Sequence, residues 1–438
     1  MAPILSELSL STAVEFEDIS HAAKDIYAIA TITAPDVEVD RAPIDITCVI
    51  DRSGSMGGDK IALVRETLSF VVDQLMESDR LSLVIFDHAI ETVLQLTNMT
   101  KSNKVEAKNI IKGITARGST NLSDALYTGL QISSNRTSPN DICSVLLFTD
   151  GLANSGINAA DNVVAGMDVH MKSMKKPVNV FTFGFGNDHD ANMLRAVAEA
   201  GTGLYYYIQK NDEIPQSFSD CLGGLLSVSA QNIKLKIDPI DGCTLKAVRT
   251  DYKKPSENEI IIGDLYAGET KDIVFEVGVG EIGEDNQSQQ LVKLSIAYYN
   301  VVEKTHGEQS ITTTVRRLKD AKMDVPNKDV DKQRMRISQA DALRQGRLLA
   351  DQGDLQALRS VVQQQQKVLK TSAYAQDDFY CGLNDALDDV LQNTESIQAY
   401  QSRGNKVINK QWSEQSNQRS NAIKSTYATK SKSKMLSA

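Results

Sequence analysis

The sequence predicts an α/β protein: a doubly wound, Rossmann-like domain is inserted in, or flanked by, a β-sandwich, and a C-terminal α-helical region follows. Three patterns support this fold class. Short apolar runs alternate with longer amphipathic stretches between residues 41 and 228, segments with β-type alternation lie on both sides of that span, and apolar residues recur at helical spacing after residue 328. With 438 residues, the chain is long enough for several cores.

The apolar runs of the α/β domain are rich in Val, Ile, Leu and Phe, which is typical of central strands that are buried on both faces. They cover residues 44–50, 81–86, 142–149 and 178–185. The stretches between them carry apolar residues every three or four positions and therefore predict helices that cover the sheet. These helices are expected at residues 60–76, 104–114, 122–132, 159–174 and 190–200. Together they define a domain at residues 41–228.

Strand-like sequence occurs on both sides of this domain, at residues 25–34 and in several segments between 231 and 317. We therefore expect a discontinuous β-sandwich. Its first strand or strands come from residues 1–40, and residues 229–320 supply the rest. If residues 25–34 lay in any other sheet, this hypothesis would fail.

Residues 328–400 predict a helical hairpin or bundle. Gly353 suits a left-handed helix end, and Asp354 can cap the following helix, so a break is expected there. A third helix is expected near residues 379–391. Residues 401–438 are polar and basic, with Glu414 as their single acid, and they predict either a solvated tail or a partner-binding arm.

The net charge of −10 argues against nucleic acid as a partner, because an acidic surface repels phosphates. The first residues lack the basic and apolar segments of a secretory signal, and no stretch is long enough to span a bilayer. The five cysteines are odd in number and widely spaced, which favours free thiols in a reducing compartment. The expected location is cytoplasmic.

Oxygen-bearing side chains follow the first core strand, at Asp51, Ser53 and Ser55. Two further positions lie in corresponding loops: Thr120 precedes a predicted helix, and Asp150 follows the strand at residues 142–149. Ligands of open α/β sheets bind at the carboxyl ends of the strands, so these side chains are expected to converge there. Carboxylates and hydroxyls without any soft ligand suit a small hard cation.

These pieces, in this order, resemble the metal-ion-dependent adhesion site of the von Willebrand factor A family. The resemblance covers roughly residues 44–226, less than half of the chain. It implies that the hydroxyls of Ser53, Ser55 and Thr120 are metal ligands and that Asp51 and Asp150 bind directly or through water. It also implies Mg²⁺ as the cofactor, with Mn²⁺ and Ca²⁺ as alternatives.

The resemblance implies a non-enzymatic adaptor or scaffold, whose protein partner completes the metal coordination with an Asp or Glu side chain. The alternative is a structural protein that self-associates into oligomers or filaments through head-to-tail contacts. The order of domains is also similar to plant RING-type ubiquitin ligases, but the dispersed cysteines form no CxxC pair for zinc. Ligase activity is therefore not expected.

Overall fold

The computed structural model describes residues 7–36, 41–150, 154–174, 176–186, 189–208, 214–240 and 242–419, without the side chains of 214–216. These residues form two compact units. Residues 41–228 form the first, which we call the α/β unit. Residues 7–36 and 229–419 form the second, which we call the sandwich unit. The predicted fold class is confirmed, because a Rossmann-like sheet is accompanied by further strands and by a C-terminal helical region.

Three strands precede the α/β unit: β1 (Ser9–Val14), β2 (Asp18–Ile19) and β3 (Lys24–Thr33). The α/β unit then contributes six strands, which are β4 (Ile44–Asp51), β5 (Arg80–Phe86), β6 (Ile90–Asn98), β7 (Ile142–Thr149), β8 (Asn179–Phe185) and β9 (Thr202–Ile208). Its helices are α1 (Asp59–Gln74), α2 (Lys101–Gly113), α3 (Leu122–Ser134), α4 (Ala160–Lys172), α5 (Ala191–Ala200) and α6 (Ile214–Leu225).

Strands β6 and β9 and helix α6 are absent from the elements that the sequence predicts. Strand β6 is an edge strand with mostly half-buried residues, so its apolar pattern is weaker than that of β4 or β7, where every residue is buried. Strand β9 begins at Thr202, directly after α5, so no polar loop marks its start. Local pattern alone does not separate such elements from their neighbours.

The sheet of the α/β unit has the strand order β6-β5-β4-β7-β8-β9, with β6 antiparallel and the other neighbours parallel. Counted from β4, this is the 3-2-1-4-5-6 order of doubly wound domains. The chain moves from β4 to one side with β5 and later to the other side with β7. Asp51 ends β4 and Asp150 follows β7, so both predicted acids lie at this switch point, where open α/β sheets bind ligands.

After the α/β unit come the remaining strands of the sandwich: β10 (Val228–Pro239), β11 (Cys243–Arg249), β12 (Lys253–Ser256), β13 (Glu259–Tyr266), β14 (Thr270–Val279), β15 (Asn286–Asn300) and β16 (Thr305–Arg317). One sheet has the order β1-β3-β14-β11 and the other β12-β13-β10-β15-β16-β2. Strand β3 pairs with β14 over its full length, from Lys24 opposite Val279 to Thr33 opposite Thr270. Strands from before and after the α/β unit are therefore direct neighbours.

The paired strands β3 and β14 are buried on both faces near their middle. Ala28 and Phe275 point into the sandwich core, whereas Ile29 and Val274 pack against Val330 of the helical region. Successive strand residues alternate between faces, so one strand supplies both contacts.

The helical region consists of α7 (Lys328–Asp351), α8 (Leu355–Thr371), α9 (Asp378–Gln392), a short turn α10 (Ile397–Ala399), a π-helical turn (Tyr400–Gly404) and α11 (Asn405–Asn417). Gly353 has a φ of +92°, and the Asp354 side chain accepts a hydrogen bond from the Ala357 N–H at 2.8 Å, as a helix break there requires. Across the described ranges, no helix combines the length and the apolar character needed to cross a bilayer.

The predicted start of a polar tail at residue 401 is wrong. Helix α11 packs into the helical core, where Val407, Ile408 and Trp412 are buried. The segment has a polar composition because much of what it buries is polar, including Asn409 and Ser413. Residues 420–438, the rest of the predicted tail, lie outside the described residues.

Candidate metal-binding site

The carboxylate of Asp51 is fully buried at the carboxyl end of β4. Its Oδ1 accepts a hydrogen bond from the Ser53 N–H at 2.7 Å, and its Oδ2 accepts one from the Thr149 hydroxyl at 2.6 Å. Thr149 is the last residue of β7. The loop after β4 and the end of the neighbouring strand β7 therefore both hold this carboxylate.

The hydroxyls of Ser53 and Ser55 lie side by side, with 3.1 Å between their Oγ atoms. Ser53 is buried and Ser55 is exposed. A short 3₁₀ turn, Gly54–Met56, sets this spacing directly after the strand. The loop therefore presents two hydroxyl groups beside the Asp51 carboxylate.

The loop with Thr120 is joined to this first loop, because the Gly54 N–H donates to the Gly118 carbonyl at 3.0 Å. Thr120 is buried, and its described hydrogen bonds use the backbone: its N–H donates to Asn154 Oδ1 at 2.8 Å, and its carbonyl accepts from the Asn154 N–H at 3.2 Å. Within the described part of the chain, the Thr120 hydroxyl is left for another partner.

Asp150 is fully buried, and its two carboxylate oxygens differ in their surroundings. Its Oδ2 lies 3.2 Å from Lys60 Nζ. Its Oδ1 is buried with no hydrogen-bond partner among the described residues. An orphaned buried carboxylate oxygen is costly unless a cation or donor completes it.

Burial raises the pKa of Asp51 to about 6, although hydrogen bonds from Thr149 and Ser53 act to lower it. The negative charge of Asp150 raises that pKa further, so the two carboxylates repel each other electrostatically. A cation that bound both groups would relieve this repulsion.

The donor set fits a hard divalent cation. Its carboxylates and hydroxyls are oxygen ligands, which hard divalent cations prefer. Among the described residues, no group of three or more His, Cys, Asp or Glu side chains is placed to hold a metal ion, so the candidate site depends on hydroxyls as well as on two carboxylates. The structure brings Asp51, Ser53 and Ser55 together and connects them to Asp150 through Thr149 and to the Thr120 loop through Gly118.

Sequence reasoning missed an ion-pair network beside the site. Asp87, directly after β5, accepts from Arg52 Nε at 3.0 Å and from Arg117 Nε at 3.1 Å. Burial acts to raise the pKa of Asp87, but the Ala89 N–H, the two arginines and His88 outweigh it, so the pKa is lowered. The network connects three loops of the site. No sequence motif signals it, because its members are distant along the chain.

Residues 45–220 match the family model for the von Willebrand factor type A domain, and this span contains all the predicted ligands. The chain contains a von Willebrand factor type A domain. Domains of this family typically bind a divalent metal and commonly mediate protein–protein interactions.

Among curated relatives, the chain is 28% identical over 248 residues to the E3 ubiquitin-protein ligase WAV3 of Arabidopsis thaliana, covering 55% of this chain and 31% of the ligase. It is 29% identical over 177 residues to the inter-alpha-trypsin inhibitor heavy chain H3 of Rattus norvegicus, covering 39% of this chain and 20% of the heavy chain. The chain therefore spans about a third or less of these two proteins.

Among solved structures, the chain resembles a von Willebrand factor type A protein from Catenulispora acidiphila, with a TM-score of 0.70 and 16% identity. The alignment covers 92% of this chain and 96% of that one. The likeness therefore extends beyond the von Willebrand factor type A domain to the strands and helices of the sandwich unit. At this identity it shows the fold alone.

Proposed function

We propose that the von Willebrand factor type A domain is a divalent-metal-dependent protein-binding module and that the chain acts as a non-enzymatic intracellular adaptor or scaffold. The residues that would hold the metal are Asp51, Ser53, Ser55, Thr120 and Asp150, and Mg²⁺ is the proposed ion. The observation that carries the proposal is the buried Asp150 Oδ1, which lacks a partner among the described residues while its carboxylate repels that of Asp51.

The protein side chains prepare the site for binding rather than for catalysis. Thr149 and the Ser53 N–H hold Asp51 in one orientation, and the Asp87 network holds the loops. The two carboxylates neutralise the charge of a divalent ion, and the three hydroxyls add no charge, so the loaded site carries no net negative charge. When bound, the ion supplies an open coordination position for a carboxylate of the partner. The partner is therefore proposed to present an Asp or Glu side chain.

The first test is calorimetric titration of Mg²⁺ into the metal-stripped full chain. Wild type is expected to show saturable binding that is lost in Asp51→Ala and in the double variant Ser53→Ala, Ser55→Ala. Asp141→Ala is the matched control, because Asp141 precedes β7 at the opposite end of the strand that Asp150 follows. Absence of Mg²⁺ binding to a folded wild type would refute the proposal.

Selection from a displayed peptide library tests the acidic partner. Wild type in Mg²⁺ is expected to enrich peptides with Asp or Glu, and Asp51→Ala is expected to lose this enrichment. Equal enrichment by both proteins would contradict a metal-dependent acidic contact. Light scattering over a concentration series, in Mg²⁺ and in chelator, separates the adaptor from the self-assembling alternative, because only the latter predicts a metal-dependent increase in mass.

A further inference from the structure

The Lys60 side chain lies beside the proposed metal ligands. It lies in the first turn of α1, and its Nζ is 3.2 Å from Asp150 Oδ2. The lysine side chain is 19% exposed and the aspartate side chain is fully buried. Gly58 precedes the helix with a φ of +71°, a conformation that favours glycine. This residue starts α1 directly after the serine loop and brings Lys60 to the site.

The ammonium group supplies positive charge where the site has an excess of negative charge. Asp51 and Asp150 are both buried, and each unpaired buried charge carries a large desolvation cost. The arginines of the neighbouring loops, Arg52 and Arg117, are directed to Asp87 instead. Among the residues that the structure describes, Lys60 is therefore the cation that pairs with a carboxylate of the proposed metal site.

We propose that Lys60 is an internal counter-ion that competes with the divalent cation for Asp150 and thereby sets the metal affinity of the domain. This inference rests on the proposed function. In the metal-free protein, the ammonium offsets part of the charge of Asp150. Binding of a divalent ion to the same carboxylate places two like-signed charges close together, so the ammonium must move away. Its flexible four-carbon stem and partial exposure allow this movement.

Two consequences distinguish this role from simple structural support. Removing the positive charge strengthens metal binding, because no cation has to be displaced. It also destabilises the metal-free protein, because Asp150 loses a partner. Metal addition therefore raises the melting temperature more in such a variant than in wild type. A purely structural lysine would instead weaken metal binding when it is replaced, because Asp150 would be less well positioned.

Calorimetric titration of Mg²⁺, repeated with Mn²⁺, into metal-stripped full chain tests the proposal. Lys60→Met keeps the apolar stem and removes the charge, whereas Lys60→Arg keeps the charge. The matched control is Lys176→Met, because Lys176 pairs with Asp141 at 2.7 Å at the other end of β7. The Kd for metal is expected to fall about tenfold in Lys60→Met, as loss of one nearby like charge predicts, and to stay near the wild-type value in the other two variants.

The melting temperature of each protein, with and without Mg²⁺, gives an independent readout. Lys60→Met is expected to melt below wild type without metal and to show the larger rise with it. If wild type binds metal and Lys60→Met binds it equally or more weakly, the inference is overturned while the proposed function stands. If none of the proteins binds metal, both are overturned.

Discussion

Arg419 forms a bidentate ion pair with the buried carboxylate of Glu269, with Nε at 2.6 Å from Oε1 and Nη2 at 2.8 Å from Oε2. The guanidinium also lies over the Tyr266 ring, 3.9 Å from its centroid, and Lys271 Nζ is 2.7 Å from the same carboxylate. Arg419, which follows α11, thus contacts the β13–β14 segment through an ion pair and through an aromatic ring. This contact makes the end of the described chain a part of the sandwich unit.

Replacing Arg419 by Met is expected to lower the free energy of unfolding of the sandwich unit, because the buried Glu269 carboxylate loses its main partner. Loss of such a partner costs about 3–5 kcal/mol, and we expect a value near the lower end because Lys271 still pairs with the carboxylate. Urea unfolding followed by Trp412 fluorescence measures this, since the chain has a single tryptophan. The control is Lys236→Met, which removes an exposed ion pair with Asp238 and is expected to cost less than about 1 kcal/mol. Equal effects of the two substitutions would contradict a stabilising role for the buried pair.

The same cluster predicts how stability depends on pH. Burial acts to raise the pKa of Glu269, but Arg419 and Lys271 outweigh it and hold the pKa well below its ordinary value. Since the folded pKa lies below the unfolded value of about 4.3, the stabilisation is fully present above that pH and is lost as the pH falls through the folded pKa. The urea midpoint of wild type should therefore approach that of Glu269→Gln in acid. If the difference between the urea midpoints of wild type and Glu269→Gln stayed constant from pH 7 to pH 3, the ionised Glu269 would not be the source of the stabilisation.

Asp51→Asn is expected to stabilise the metal-free α/β unit by about 1–3 kcal/mol at pH 7 while abolishing Mg²⁺ binding. The amide removes a buried charge that burial and Asp150 both disfavour, and it can still accept from the Ser53 N–H and donate to Thr149. Thermal unfolding with and without Mg²⁺ measures both effects. A lower melting temperature for the metal-free variant would show that the carboxylate itself stabilises the fold.

Gly118→Ala is expected to destabilise the α/β unit by about 1–3 kcal/mol. The φ of Gly118 is +75°, and an added Cβ would lie 2.9 Å from His88 Nδ1 and 3.2 Å from the Asp87 Cβ. The control is Gly113→Ala, because Gly113 ends α2 in open space and alanine there is expected to be neutral or slightly stabilising. Far-ultraviolet circular dichroism during urea unfolding compares them, and equal stability of both variants would refute the steric argument.

Trp412→Ala tests whether α11 belongs to the core of the helical region. Trp412 is buried, and its Nε1 donates a hydrogen bond to Asp251 Oδ2 at 2.9 Å. The Arg347 guanidinium lies over the Trp412 ring, with its Cζ 5.6 Å from the ring centroid. We expect a loss of about 3–5 kcal/mol, as for other buried aromatic side chains. Ile397→Ala, at an exposed apolar side chain, is the control with an expected loss below about 0.5 kcal/mol. Similar losses would mean that α11 packs only loosely.

By itself, the sequence determined the fold class and the central strands of the α/β unit, because buried parallel strands and amphipathic helices leave strong local patterns. Its motif also identified the candidate ligands, since Asp51, Ser53 and Ser55 are near one another along the chain. It failed at strand β6 and at helix α11, where the first is half exposed and the second buries many polar side chains.

Only the tertiary structure decided which charges meet. Lys60 and Asp150 are 90 positions apart, and Glu269 and Arg419 are 150 apart, so no local pattern predicts either pair. Topology brings them together: the crossover from β4 to β7 places Asp150 beside the start of α1, and the helices return the chain to β14. Hydrophobic periodicity specifies elements, whereas the pairing of buried charges depends on how those elements are arranged.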